Sequence, residues 1–274
     1  MNFEPHNTWC VLVKKIIRLV GRVGQELCNE SRYLFLNSRP NKILFDHLPK
    51  CGGASLSNYL QANFPKRKTY SIDSSRLEQS IEEFKDLPED DRYSFDLVKG
   101  HQAIKLLDYV HPDSLRVTVF RDPIERIISH YYYVKRRPGH YLYENVAGAN
   151  MTLDEYVASG LTGEVCNYYT TRYSGLSICE AERRPDEAVA KAFETIINSY
   201  DIVGFLEDYA FFMNEIYCKA NLRFRYKNKK MNVTKNRPGL SSLKHSVARG
   251  IQDANRLDIE LYKYLKEKVD VVMM

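Results

Sequence analysis

Nothing in this sequence supplies the framework of a metal site or of a disulfide-stapled fold. The six cysteines, Cys10, Cys28, Cys51, Cys166, Cys179 and Cys218, are scattered, with no CxxC pair and no histidine cluster at metal spacing. A chain of 274 residues needs no covalent staples, so these are expected to be reduced thiols. A long apolar run is missing too. Trp9 to Val20 is apolar but carries Lys14, Lys15 and Arg18, which makes it too short and too charged to span a bilayer. No small-residue cleavage site follows it, so the expected setting is the cytoplasm, and the sequons at Asn29, Asn150 and Asn232 are discounted. Residues 1–40 are expected to form an amphipathic helical segment packed on the domain, with peripheral contact to a membrane surface as the alternative. No internal repeat, low-complexity tract or Pro/Gly/Ser linker divides the rest, so residues 41–274 read as one domain. A dense basic stripe is also lacking. The net charge of +5 argues against nucleic acid as partner and suits a nucleotide phosphate or an acidic sugar.

What is present is ample core material: 44% of residues are hydrophobic and 12% aromatic, which excludes disorder over most of the chain. Apolar runs of strand length alternate with helical patterns. Strands are expected at Lys42 to Leu48, Ser94 to Lys99, Leu115 to Phe120 and, more weakly, Asp201 to Gly204. Helices are expected at Ala54 to Asn63, Ser75 to Lys85, Pro123 to Tyr133, Pro185 to Asn198, Glu207 to Ala220 and Asn255 to Val269. Asp122-Pro123-Ile124-Glu125 supplies a cap acceptor, a proline at the first helical position and a glutamate at the third, and Thr152-Leu153-Asp154-Glu155 is a capping box. This alternation predicts an α/β fold, with a central, mainly parallel sheet flanked by helices. Ligands on such sheets bind beyond the carboxyl ends of the strands.

Two segments sit at such ends. Leu48-Pro49-Lys50-Cys51-Gly52-Gly53-Ala54-Ser55-Leu56 joins the first strand to the first helix. Adjacent glycines let backbone N–H groups turn towards an anion, the helix N-terminus adds partial positive charge, and Lys50 adds a full one. The lysine precedes the glycines and the GxxxxGK[ST] spacing is absent, so this is no Walker A loop. An ordinary Gly-Gly turn is the bland alternative. The second segment, Val119 to Tyr133, leaves a buried strand at Arg121, whose planar fork suits a phosphate, and carries Ser129 two turns into a helix. Its bland alternative pairs Arg121 with Asp122 or Glu125.

Taken together, the two segments resemble the PAPS-dependent sulfotransferases, nearest the branch of the heparan sulfate and uronyl 2-O-sulfotransferases and related bacterial proteins. LPKCGGASL is similar to the PKxGGTSL loop of that family, and FRDPIERIISHY to its FRDPxERxxSxY segment. The likeness runs more loosely through Asn167 to Gly175, Ile202 to Tyr209 and the C-terminal helix, covering about Lys42 to Leu265. The resemblance implies an architecture like that of the P-loop kinases and transfer of a sulfuryl group from PAPS to a hydroxyl, with PAP as product. It also implies that Lys50, Cys51, Gly52, Gly53, Ala54, Ser55 and Leu56 hold the 5′-phosphosulfate, and Arg121 and Ser129 the 3′-phosphate. At Cys51 and Ala54 the family commonly carries hydroxyl-bearing residues, so here backbone amides are left to serve.

The acceptor hydroxyl loses a proton as it attacks, a task suited to a histidine. His101, in Asp96-Leu97-Val98-Lys99-Gly100-His101-Gln102, follows a predicted strand, and in the resembling enzymes a histidine at this place is the base. His47 is expected inside the first strand as a packing residue, and His130 on a helix pointing elsewhere. Lys50 is expected to stabilise charge on the bridging oxygen, and no metal is required. Thr234, Lys235 and Asn236 lie in a basic loop similar to one that closes over the nucleotide, with a solvated loop as the alternative. Asn167 and Arg172 are candidates for meeting an acidic acceptor, alongside His101. The Tyr131 to Tyr133 cluster is read as core. A kinase of similar fold and a silent nucleotide- or glycan-binding module stay open as rivals. A polysaccharide, a glycolipid and a small alcohol remain open as acceptors, with a glycan or glycoconjugate favoured by the resemblance alone.

Overall fold

Alternate residues of the first strand enter opposite cores. Ile43 and Phe45 of β1 (Ile43–Asp46) pack into one cluster and Leu44 into another, and all are essentially inaccessible. Both faces of this strand are therefore covered, as a parallel sheet requires. The computed structural model describes residues 41–227 and 243–273. Among them the strands β1, β2 (Thr69–Ser71), β3 (Leu97–Gly100), β4 (Leu115–Phe120) and β5 (Ile202–Phe205) form one sheet in the order β2-β3-β1-β4-β5. Every pairing is parallel, with Asp46 in register with Gly100 on one side and Thr118 on the other. The chain leaves β1 towards β2 and β3, then returns to place β4 on the opposite side. The crevice of such a sheet opens where that reversal occurs, at the carboxyl end of β1.

Helices follow the strands, and of those named next all but Tyr168–Ser174 fall where the periodicity predicts. The relevant ones are α1 (Gly53–Gln61), α2 (Pro123–Val134), α3 (Tyr168–Ser174), α4 (Pro185–Ser199), α5 (Tyr209–Lys219) and α6 (Arg256–Met273). α2 starts as its sequence dictates: the Asp122 carboxylate accepts from Glu125 N–H at 2.9 Å, and Pro123 takes a position that needs no donor. The Thr152–Glu155 capping box also forms. The first predicted strand stops earlier than expected, at Asp46. The second predicted strand starts later, at Leu97, because Glu89–Ser94 is a short helix whose Arg92 binds the carbonyls of Lys85 and Leu87. The described cysteines Cys51, Cys166, Cys179 and Cys218 are thiols, and no described helix is long and apolar enough to cross a membrane.

Candidate active site

The two glycines of the β1–α1 loop are required for different reasons. Gly52 has φ +81°, a left-handed conformation that a side chain disfavours, and Lys50 is left-handed too, at +65°. Gly53 opens α1, and a Cβ there would lie 2.0 Å from Cδ2 of His47, so only hydrogen admits that ring. The α1 N-terminus has no side-chain cap and no acidic residue in its first turn. The Ser55 N–H donates to the Gly52 carbonyl at 3.0 Å, and the dipole of the helix favours an anion ahead of it. Tyr209, on α5, donates to the Gly52 carbonyl at 3.0 Å and pins the loop from behind.

Lys50 lies with Nζ 3.6 Å from the centre of the Tyr133 ring. Burial pushes its ammonium down to about 8, and the nearby guanidinia of Arg121, Arg136 and Arg137 push the same way. This concentration of positive charge around a partly buried lysine favours a nearby anion. Arg121 directly follows β4. Its Nη1 donates to the Lys50 carbonyl at 3.2 Å and its Nη2 pairs with Glu125 at 3.3 Å. The pairing with Glu125 is therefore real, but it coexists with the bond that draws Arg121 to the β1–α1 loop. Ser129 is four residues beyond Glu125, half-buried on the same face of α2.

His101 follows β3 and accepts no ambiguity at Nδ1. That nitrogen lies 2.6 Å from the His47 carbonyl oxygen, which can only accept, so Nδ1 carries the proton and Nε2 the lone pair. The imidazole stacks on that of His47, with ring centres 4.4 Å apart and planes 24° apart. Lys50, Gly52, Gly53, Arg121 and His101 thus come together at the carboxyl ends of β1, β3 and β4.

Other expected residues are elsewhere. The Cys51 side chain is buried beneath the loop, with Sγ 3.1 Å from the Tyr169 hydroxyl, and burial pushes its thiol up to about 11. A hydroxyl at this position would likewise face the core, so only its backbone is available to a ligand. Leu56 is also wholly in the core, Ser55 is half-buried and Ala54 is exposed. Asn167 and Arg172 are corrections. Arg172 is spent on a buried pair with Asp46, its Nη2 donating to both carboxylate oxygens at 2.8 and 2.9 Å, and its side chain is 6% exposed. Asn167 is buried at the left-handed start of α3, where its Oδ1 accepts from Leu257 N–H at 3.0 Å. Both side chains are engaged within the fold. Thr234, Lys235 and Asn236, like residues 1–40, lie outside the described residues.

Two residues at the site escaped the sequence reading. Tyr133 was assigned to the core, yet it supports Lys50, and its place four residues after Ser129 was the available signal. His47 was placed inside the strand, whereas it lies just past it, against both the loop and His101. Among the described residues no cluster of His, Cys, Asp and Glu could hold a metal ion.

A family model described as the sulfotransferase family matches residues 33–265. The chain is similar to the heparan sulfate 2-O-sulfotransferase hst-2 of Caenorhabditis elegans, at 24% identity over 204 residues. That match covers 62% of this chain and 60% of the worm protein, so it spans less than two thirds of this curated relative.

Proposed function

The chain belongs to the sulfotransferase family, and on that premise we propose that it transfers a sulfuryl group from PAPS to a carbohydrate hydroxyl, giving a sulfate ester and PAP. One observation carries this reading: a single loop, His47–Gly53, gathers the groups that the donor and the acceptor each require. Its Lys50 carbonyl receives Arg121, and its His47 carbonyl receives the Nδ1–H of His101.

The residues fit an anionic nucleotide, because the N-terminus of α1 carries no side-chain cap and no acidic residue in its first turn, and Lys50 is already among arginines. When bound, PAPS supplies the sulfuryl group through the sulfur–oxygen bond to its 5′-phosphate, which breaks on transfer. Lys50 and the Gly52–Ser55 turn hold that end, and Lys50 offsets the charge left on the bridging oxygen. Arg121 and Ser129 hold the 3′-phosphate. The His101 Nε2 lone pair takes the proton of the attacking hydroxyl. The worm relative's name points to a glycan acceptor, which supports a carbohydrate here.

The test is calorimetric binding of PAP, with ATP and ADP as controls and magnesium present or absent, followed by transfer from radiolabelled PAPS to heparan sulfate. PAP should bind without metal. Arg121→Ala should weaken it on the order of 10-fold to 100-fold, the value of a charged hydrogen bond. His101→Ala should leave PAP binding intact and lower turnover by about 10²-fold or more. A magnesium-dependent preference for ATP would replace this reading with a kinase, and near-normal turnover in His101→Ala would remove the base.

A further inference from the structure

His47 has no part in the reaction as set out above, yet it touches both halves of the site. On one edge its ring meets Gly53, at the start of α1, so closely that a single methyl there would collide with Cδ2 and Nε2, at 2.0 and 2.3 Å. On one face it stacks with His101, at 4.4 Å. It also stacks with Phe45, at 5.5 Å and 19°, and Phe45 is completely buried in the main core. The His47 ring is therefore near-parallel both to the buried Phe45 of the sheet and to the candidate base.

We propose that His47 is a positioning residue, whose ring, wedged between the phosphate loop and His101, sets where the His101 imidazole stands relative to the donor. This rests on the sulfotransferase reading. A short carbonyl contact fixes which nitrogen of His101 carries the proton, but one hydrogen bond leaves the ring free to swing about it. A flat neighbour across the whole face removes that freedom, and placement to within a fraction of an ångström is what proton abstraction demands.

The electrostatics agree. His47 faces His101 beyond β3, Lys99 on β3, Lys50 in its own loop and Asp46 on β1. Burial dominates, the three cationic or ionisable bases act with it against a weaker opposing pull from Asp46, and the ring is pushed down to about 3. Lys99 is itself held by Ser57 of α1, at 2.7 Å. His47 is thus neutral through the working pH range, and a proton taken up by His101 forms a cation against an uncharged aromatic face, not beside a second imidazolium.

The experiment compares His47→Ala and His47→Phe with wild type by three measurements: steady-state transfer from radiolabelled PAPS to heparan sulfate, PAP calorimetry, and long-range proton–nitrogen spectra of the His101 ring, assigned with His101→Gln. In His47→Ala, kcat should fall on the order of 10-fold to 100-fold while PAP affinity stays near wild type. The His101 ring signals should broaden and shift as the ring gains freedom, while the Nδ1–H tautomer, held by the backbone carbonyl of residue 47, stays. His47→Phe keeps a flat ring and should recover most of both. Wild-type kcat and wild-type His101 ring signals in His47→Ala would overturn the proposal. So would a His47→Phe variant as impaired as alanine, or a loss of PAP affinity in step with kcat, which would make His47 part of the donor cradle. A wild-type protein that neither binds PAP nor transfers from PAPS sinks the underlying reading instead, and the shift and width of the His101 ring signals still decide the role of the ring.

Discussion

Replacing Arg172 with leucine separates a structural role from an acceptor-binding one. Asp46 is wholly buried at the end of β1 and accepts two bonds from Arg172 Nη2, one from the Tyr200 hydroxyl at 2.7 Å and one from the Tyr173 hydroxyl at 3.3 Å. Removing one partner of a buried pair costs about 3–5 kcal/mol, because the other charge stays buried without compensation. The two tyrosines still donate to Asp46, so the lower end applies, about 3 kcal/mol. For a chain of this length that corresponds to a melting-temperature loss of roughly 6–12 °C. Circular dichroism melts and urea unfolding at neutral pH would read it. PAP affinity and transfer, measured well below the melting range, should stay close to wild type. Adding Asp46→Asn should restore part of the loss, since the stranded charge is then gone. Unchanged stability together with a raised acceptor KM would refute this argument and return Arg172 to the acceptor side.

Two further predictions concern protons. Lys50 is pushed down to about 8, so the ligand-free protein loses this charge above that pH, whereas a bound anion favours keeping it. PAP affinity should therefore fall as pH rises beyond 8, by up to about tenfold per unit, with proton uptake on binding visible in buffers of different ionisation enthalpy. Affinity that is flat well into the alkaline range would refute it. His47 is pushed from its ordinary 6.5 down to about 3, so below 6.5 the unfolded chain binds a proton that the folded chain refuses. Its contribution to stability is complete above 6.5 and shrinks as the medium is acidified, by up to about 1.4 kcal/mol per pH unit. The unfolding free energies of wild type and His47→Phe should diverge by that slope between neutral and mildly acidic pH. Parallel lines would show that His47 titrates normally.

Much of the site was legible because its placement follows local rules. Leu115–Phe120 has the composition of a buried strand, Asp122-Pro123 can only begin a helix, and Arg121 between them must lie at a strand's carboxyl end. The same reasoning located Lys50 and His101. β2 was missed because a three-residue edge strand carries no period, and Thr69–Ser71 is extended only through its bonds to β3. Tyr133 was missed because an aromatic at helical spacing usually packs inward; its true partner is a lysine brought in from another strand end.

What the amino-acid sequence determined alone was the set of elements and which chemistry stands at their ends, since caps, glycine conformations and hydrophobic period act over a few neighbouring residues. Which polar side chains are free to act was decided by tertiary structure. Arg172 and Asp46 are 126 positions apart, and Asn167 is held by Leu257, 90 positions away. Such pairings form only when packed elements exclude water and every buried charge or amide must find a partner. The stack of His47 on His101 arises in the same way, from two strand ends that the sheet aligns and a glycine that leaves room between them.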